Sequence, residues 1–249
     1  MSDPAQNPDL DPDTDSLPHT TRLAIAELRA GVLHEQQGDF ARAAACYEGV
    51  ISACGTPPDD PGLLAAALCH MGGLLVGQGN LLRAFPLLER ARGLLEGEGE
   101  TPALSYIEFH IGLARIAQGE VEGGLAALST AERIQRACGD HRHLSATLSA
   151  QAVVCVRRRR FAAAEALLRQ ALGIQERLEE HEAKVHTLRL LGYCMAEQGR
   201  SMAARRLRIE AEQLSLLLSL PRPNATTAGG DDPGSTVAHA IDGARVWLQ

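Results

Sequence analysis

Apolar residues recur along this chain at helical rather than strand spacing. In one stretch Leu68, Leu75, Leu81, Leu88 and Leu94 stand six or seven residues apart, with small and polar residues between them. Helices therefore come first, and they come in pairs. Turn glycines stand at Gly38, Gly79, Gly119 and Gly199, and Arg159 occupies the equivalent place between the last two, so the interval is 40 or 41 residues. Around each of these anchors the same frame repeats. Seven residues before it stand Gly31, Gly72, Gly112, Ala152 and Gly192; five after it, Ala43, Ala84, Gly124, Ala164 and Ala204; twelve after it, Val50, Ala91, Ala131, Ala171 and Ala211.

The physical reading is a helix, a tight turn and a second helix, repeated five times. A glycine at the end of the first helix takes the left-handed conformation that closes it, and small residues flanking the turn let the two helix axes approach closely. The predicted helices are 22–37 and 40–53, 62–78 and 81–96, 102–118 and 121–138, 142–158 and 161–179, and 182–198 and 201–219. Breaks fall at CGTPPDDP (54–61), EGEGETP (96–102) and Cys138-Gly139-Asp140. The junction LEEHEA has neither Gly nor Pro and defines its turn least sharply. The five copies span about 22–55, 62–96, 102–138, 142–179 and 182–219.

The segments GVLHEQQGDFARAAACYEGV, GGLLVGQGNLLRAFPLLERA and LGYCMAEQGRSMAARRLRIEA carry a resemblance to the tetratricopeptide repeat (TPR), covering residues 22–219. The usual period of that family is near 34; the longer one here is similar to the repeats of kinesin light chains and of bacterial signalling ATPases and transcription regulators. Arg159 for a turn Gly, Gly124 for Ala and Val50 for Ala depart from the pattern. The resemblance implies an all-α fold, a right-handed α-solenoid of five antiparallel helix pairs with a TPR-like superhelix. It also implies a concave face, lined by the first helix of each pair, that binds an extended peptide or a partner helix.

By helical phase and by that resemblance, the candidate partner-binding positions are His70, Tyr106, Phe109, His110, Leu113, Val153, Arg157, His186, Arg189 and Tyr193. The first repeat adds Ile25, Leu28 and Val32. Tyr106, Phe109 and His110 beside His70 form an aromatic cluster in a chain with only eight aromatics. They are either binding anchors or filler between repeats. Arg157, His186 and Arg189 make a cationic end. The family's carboxylate clamp for chaperone C-termini uses Lys and Asn, and the concave positions hold neither. A mainly apolar groove with a few cations suits an amphipathic segment.

Composition and charge narrow the function further. The net charge of −7 splits into −5 on residues 1–20, which carry five Asp and no Lys or Arg, and −2 on the remainder. A nearly neutral body lacks the basic face that nucleic acid requires, so no nucleic-acid partner is expected. Residues 1–20 read as a disordered acidic tail, 21–219 as the repeat domain, and 220–249 as a flexible linker with a short apolar segment containing the one Trp, Trp247. The start has no basic and apolar leader and no stretch reaches 18 apolar residues, so a cytoplasmic protein without membrane insertion is expected. Six cysteines without a CxxC pair read as reduced fillers, Cys138 among them.

Catalytic motifs are missing from the sequence, so neither an enzyme nor a cofactor is expected. His141 and His143 point apart on a helix and have no third metal ligand. The run Arg157–Arg160 caps a helix C-terminus, where cations are favourable, or offers a docking point for an acidic partner or the acidic tail. The closing helix ends LSLLLSL, which looks too apolar to face water. Residues 236–248 or a second copy of the chain would cover it, making a homodimer through the C-terminal helix a candidate. The expected role is a non-catalytic interaction scaffold or adaptor; the alternative is a regulatory sensor that binds a small ligand or signalling peptide and controls a transcription or signalling partner.

Overall fold

The computed structural model describes residues 18–54, 60–97 and 99–219. Most of the expected acidic tail, the middle of the 54–61 break and everything from residue 220, including the apolar 236–248 segment, lie outside the described residues. The described residues form ten helices and no strand. They are α1 (His19–Gln36), α2 (Phe40–Ala53), α3 (Pro61–Gly77), α4 (Leu81–Leu94), α5 (Pro102–Ala117), α6 (Val121–Cys138), α7 (His141–Arg157), α8 (Phe161–Arg177), α9 (His181–Glu197) and α10 (Ser201–Ser219). Successive helices pack as antiparallel pairs, and each pair stacks on the next to give an α-solenoid.

Local chemistry sets the boundaries. Asp39, Asp60, Thr101 and Asp140 accept hydrogen bonds from the backbone N–H three residues on, capping α2, α3, α5 and α7. Pro61 and Pro102 start α3 and α5, where a missing N–H costs nothing. At the five intra-pair turns the bonding is the same. In the second, Gly79 N–H donates to Val76 O (3.0 Å) and Asn80 N–H to Leu75 O (2.8 Å), with Gly79 at φ +74°. These are the two bonds of a left-handed helix stop. Arg159 makes the same pair of bonds at φ +55°, a strained angle for a residue with a Cβ. The LEEHEA junction is solved in a related way: Glu179 takes φ +56° and Glu180 N–H donates to Gln175 O.

The small residue seven before each anchor has a partner nine after it. A Cβ on Gly72 would fall 2.6 Å from Leu88 Cδ2, and one on Gly112 would fall 2.8 Å from Leu128 Cγ. Tyr47, Leu88, Leu128 and Leu168, the residues at this position in the first four copies, are all fully buried. This column of large side chains seated over small ones is the spine of the core.

The fifth copy breaks the column. Its residue is Arg208, exposed and 3.8 Å from Glu212 on its own helix. The face on which a sixth pair would stack is thus polar. The apolar residues of α10 lie elsewhere: Ala211 is buried against α9, whereas Met202, Ile209, Leu216 and Leu217 are 69%, 41%, 63% and 66% exposed on the opposite, outer side. The LSLLLSL run therefore divides between two faces, with Leu214 and Leu218 packed inward and Leu216 and Leu217 exposed.

Candidate functional site

Three first helices, α3, α5 and α7, bring a chain of rings together. Tyr47 on α2 stacks on His70 of α3, with ring centroids 5.4 Å apart. His70 lies 5.3 Å from Tyr106 on α5. Tyr106 meets His110 edge-on at 4.6 Å and His143 of α7 edge-on at 5.2 Å. Phe109 closes on His110 at 5.2 Å. Tyr106 is the hub: three histidines from three successive repeats surround one phenol ring.

Depth separates these residues. Phe109 and His110 are 5% exposed; Phe109 packs with Leu128, Ala131 and Ala146, between the third and fourth repeats. His110 lies flat over Gly73, where a Cβ would come 2.6 Å from its Cε1. Tyr106, His70, Leu113 and His143 remain partly exposed. Of the aromatic cluster expected on the groove, Phe109 and His110 thus form its floor, and Tyr106 and His70 its surface.

Electrostatics follow from that depth. Both ring nitrogens of His110 are buried without a hydrogen-bond partner, as is Nδ1 of His70. Burial pushes the His110 pKa down to about 3, and the nearby His70 and His143 push it the same way; burial, with His143, lowers His70 to about 4. Both are neutral rings near pH 7. Glu35 of α1 is also buried; it accepts the Tyr47 hydroxyl at 2.6 Å and stands 3.8 Å from His70 Nδ1. Burial, followed by the Glu35 charge, holds the Tyr47 phenol well above its usual range. Asp140, the cap of α7, fixes the His143 ring through Nδ1 at 2.7 Å. Sequence reasoning missed Glu35, Tyr47 and His143 as members of this group. His143 was visible beside His141, but only as a weak metal ligand.

The other half of the candidate set is built differently. Val153 and His186 are partly buried, while Arg157 and Arg189 are exposed. Tyr193 is 48% exposed, its ring 6.1 Å from Phe161. Arg189 reaches Ser215 at 3.5 Å, the limit of a hydrogen bond. No ion pair holds Arg157 among the described residues. Within the arginine run, Arg158 pairs with Glu122 at 2.6 Å and Arg159 with Glu197 at 3.3 Å, so both bridge to neighbouring repeats.

Among the described residues no group of three or more His, Cys, Asp or Glu is placed to hold a metal ion, and no helix is long and apolar enough to cross a membrane. The six cysteines are free. Cys69 and Cys194 are buried, but Cys138, expected as an apolar filler, is exposed because it sits at the very end of α6.

No family model and no curated protein sequence matches the chain. Solved structures do. BtubC (BKLC) from P. vanneervenii superposes with a TM-score of 0.64 at 17% identity, over 85% of this chain and 84% of that one. A putative kinesin light chain with nearly identical TPR-like repeats from Podosopora anserina gives 0.60 at 18% identity, over 81% and 98%. The MamA protein gives 0.51 at 15%, over 82% and 100%. At these identities the likeness is one of fold: the chain has the TPR-like α-solenoid architecture.

Proposed function

We propose that this protein is a non-catalytic interaction scaffold whose concave face docks an amphipathic peptide or helix. The observation that carries the reading is the division of that face. A semi-exposed aromatic surface, Tyr106 with His70 and His143, lies over the buried Phe109 and His110, and the first helices of the later repeats carry exposed Arg157, Arg189 and Tyr193. Apolar side chains of a partner would seat against the rings, and its acidic side chains would meet the arginines. Rigid aromatics and arginine are the residue types that concentrate binding energy in protein interfaces. The fold shared with a putative kinesin light chain supports the same reading.

The test is affinity capture with the full chain, compared with two variants, Tyr193→Ala and Arg189→Glu. A protein retained at one-to-one stoichiometry by the wild type and lost from both variants supports the groove reading. Retention unchanged by both substitutions overturns it, and a retained small molecule with no protein would favour a ligand sensor instead.

A further inference from the structure

The outer face of α10 differs from that of every other second helix. At the position ten residues after the turn anchor the first four copies carry Glu48, Glu89, Ser129 and Arg169; α10 carries Ile209. Seventeen after the anchor, Glu96, Arg136 and Glu176 give way to Leu216. At 100° per residue, Met202, Ile209 and Leu216 fall within about 40° of one another, opposite buried Ala211, with Leu217 about 60° farther round beyond Gln213 and Arg206. The result is an apolar stripe about 21 Å long on a helix whose inner face is already occupied.

We propose that two copies of this chain pair through this stripe, antiparallel, about a two-fold axis close to Ile209. The charges on the stripe's edge argue for a second copy rather than an unrelated partner. Arg205 and Glu212 lie on the same edge, about 20° apart, on either side of Ile209. In an antiparallel pair related by a two-fold axis at that point, Arg205 of each copy faces Glu212 of the other, so the interface makes two ion pairs with itself. Met202 of each copy falls opposite Leu216 of the other. A parallel two-fold pair would instead set Arg205 opposite the other edge of the stripe, where Arg206 stands at the same height. Among the described residues Glu212 pairs only with Arg208, at 3.8 Å with both side chains largely exposed, and no ion pair holds Arg205. One pair of helices buries less than the ~1,200 Å² of a standard stable interface, so the dimer is reversible, with a dissociation constant on the order of ten micromolar or weaker. It leaves the concave face free and joins two grooves in one assembly.

Sedimentation of the full chain over a range from about one to several hundred micromolar tests this. The expected result is a concentration-dependent monomer–dimer equilibrium that Ile209→Glu abolishes. Arg205→Glu and Glu212→Arg should each weaken association about fivefold or more through lost and reversed pairs, and the double exchange Arg205→Glu/Glu212→Arg should restore it. All substituted positions are exposed, and circular dichroism confirms that each variant retains its helices. A monomer at every concentration, a dimer indifferent to Ile209→Glu, or a double exchange no better than the single ones would each overturn the proposal.

Discussion

The first helices of the early and the late repeats share one frame, yet they bury their side chains differently. In the first three repeats the ring-bearing positions are sunk: His110 sits on Gly73 and Phe109 runs into the next repeat. In the fourth the equivalent Ala146 and Ser149 are small and buried, and in the fifth Arg189 and Tyr193 stand out into solvent with His186 half-buried. Thirteen residues before the anchor Tyr106 becomes His186; ten before, Phe109 becomes Arg189; six before, Gly73 and Leu113 become Tyr193. The first half spends its aromatics on stability and on shaping a floor, whereas the second keeps its rings and cations available. The same solenoid position thus alternates between core and surface according to how much room the preceding repeat leaves.

Four measurements would break or sharpen this contrast. Phe109→Ala should lower unfolding free energy by about 3–5 kcal/mol, as for other buried aromatics, whereas Tyr193→Ala should stay within about 0.5 kcal/mol; equal losses in urea titrations would erase the distinction. Mild acid should act on the first half through its buried histidines. With the folded pKa values of His70 and His110 at about 4 and 3, the unfolded chain takes up protons first, near pH 6.5. The penalty is absent above that pH and grows as pH falls. Between pH 6.5 and 5 each histidine should remove about 2 kcal/mol, read as a falling urea midpoint, and His110→Leu should flatten the slope.

Gly73→Ala comes next, because its new methyl would push into the His110 ring and destabilise by about 1–3 kcal/mol. The equivalent Val153 position already carries a side chain, and Val153→Ala should cost less. Smallest is a gain. Arg159→Gly should relieve the left-handed turn and raise stability by about 1 kcal/mol, even though it gives up the 3.3 Å pair with Glu197 and the arginine's stacking on Phe161. Thermal melts at one pH separate these two from the wild type.

The helix pairs were legible because their determinants are local. A glycine that must turn left-handed and a small residue two turns before it mark every repeat, and even Arg159 kept the frame. The depth of a side chain was less so. Helical phase puts His70 and His110 in one column, nine before the anchor, but only the neighbouring helix decides that Gly73 makes a seat for one of them. Glu35 and Tyr47 were invisible for the same reason, since their contact joins α1 to α2 across a turn and looks unremarkable in sequence. The closing helix was misleading because LSLLLSL reads as one apolar run, while a helix deals its residues to separate faces.

Arg208 has a wider consequence. Both ends of a stacked array can, in principle, recognise each other head to tail, and such contacts do not close: they propagate into filaments. Here the first described helix exposes Leu23 and Leu33, and the other end would answer them if the large apolar residue of the four-copy spine had been kept at its fifth place. A guanidinium stands there instead, so adding a molecule end-on would strip that charge of its water with nothing offered in return. At this face of the described residues, that one charge opposes end-on stacking of a second molecule.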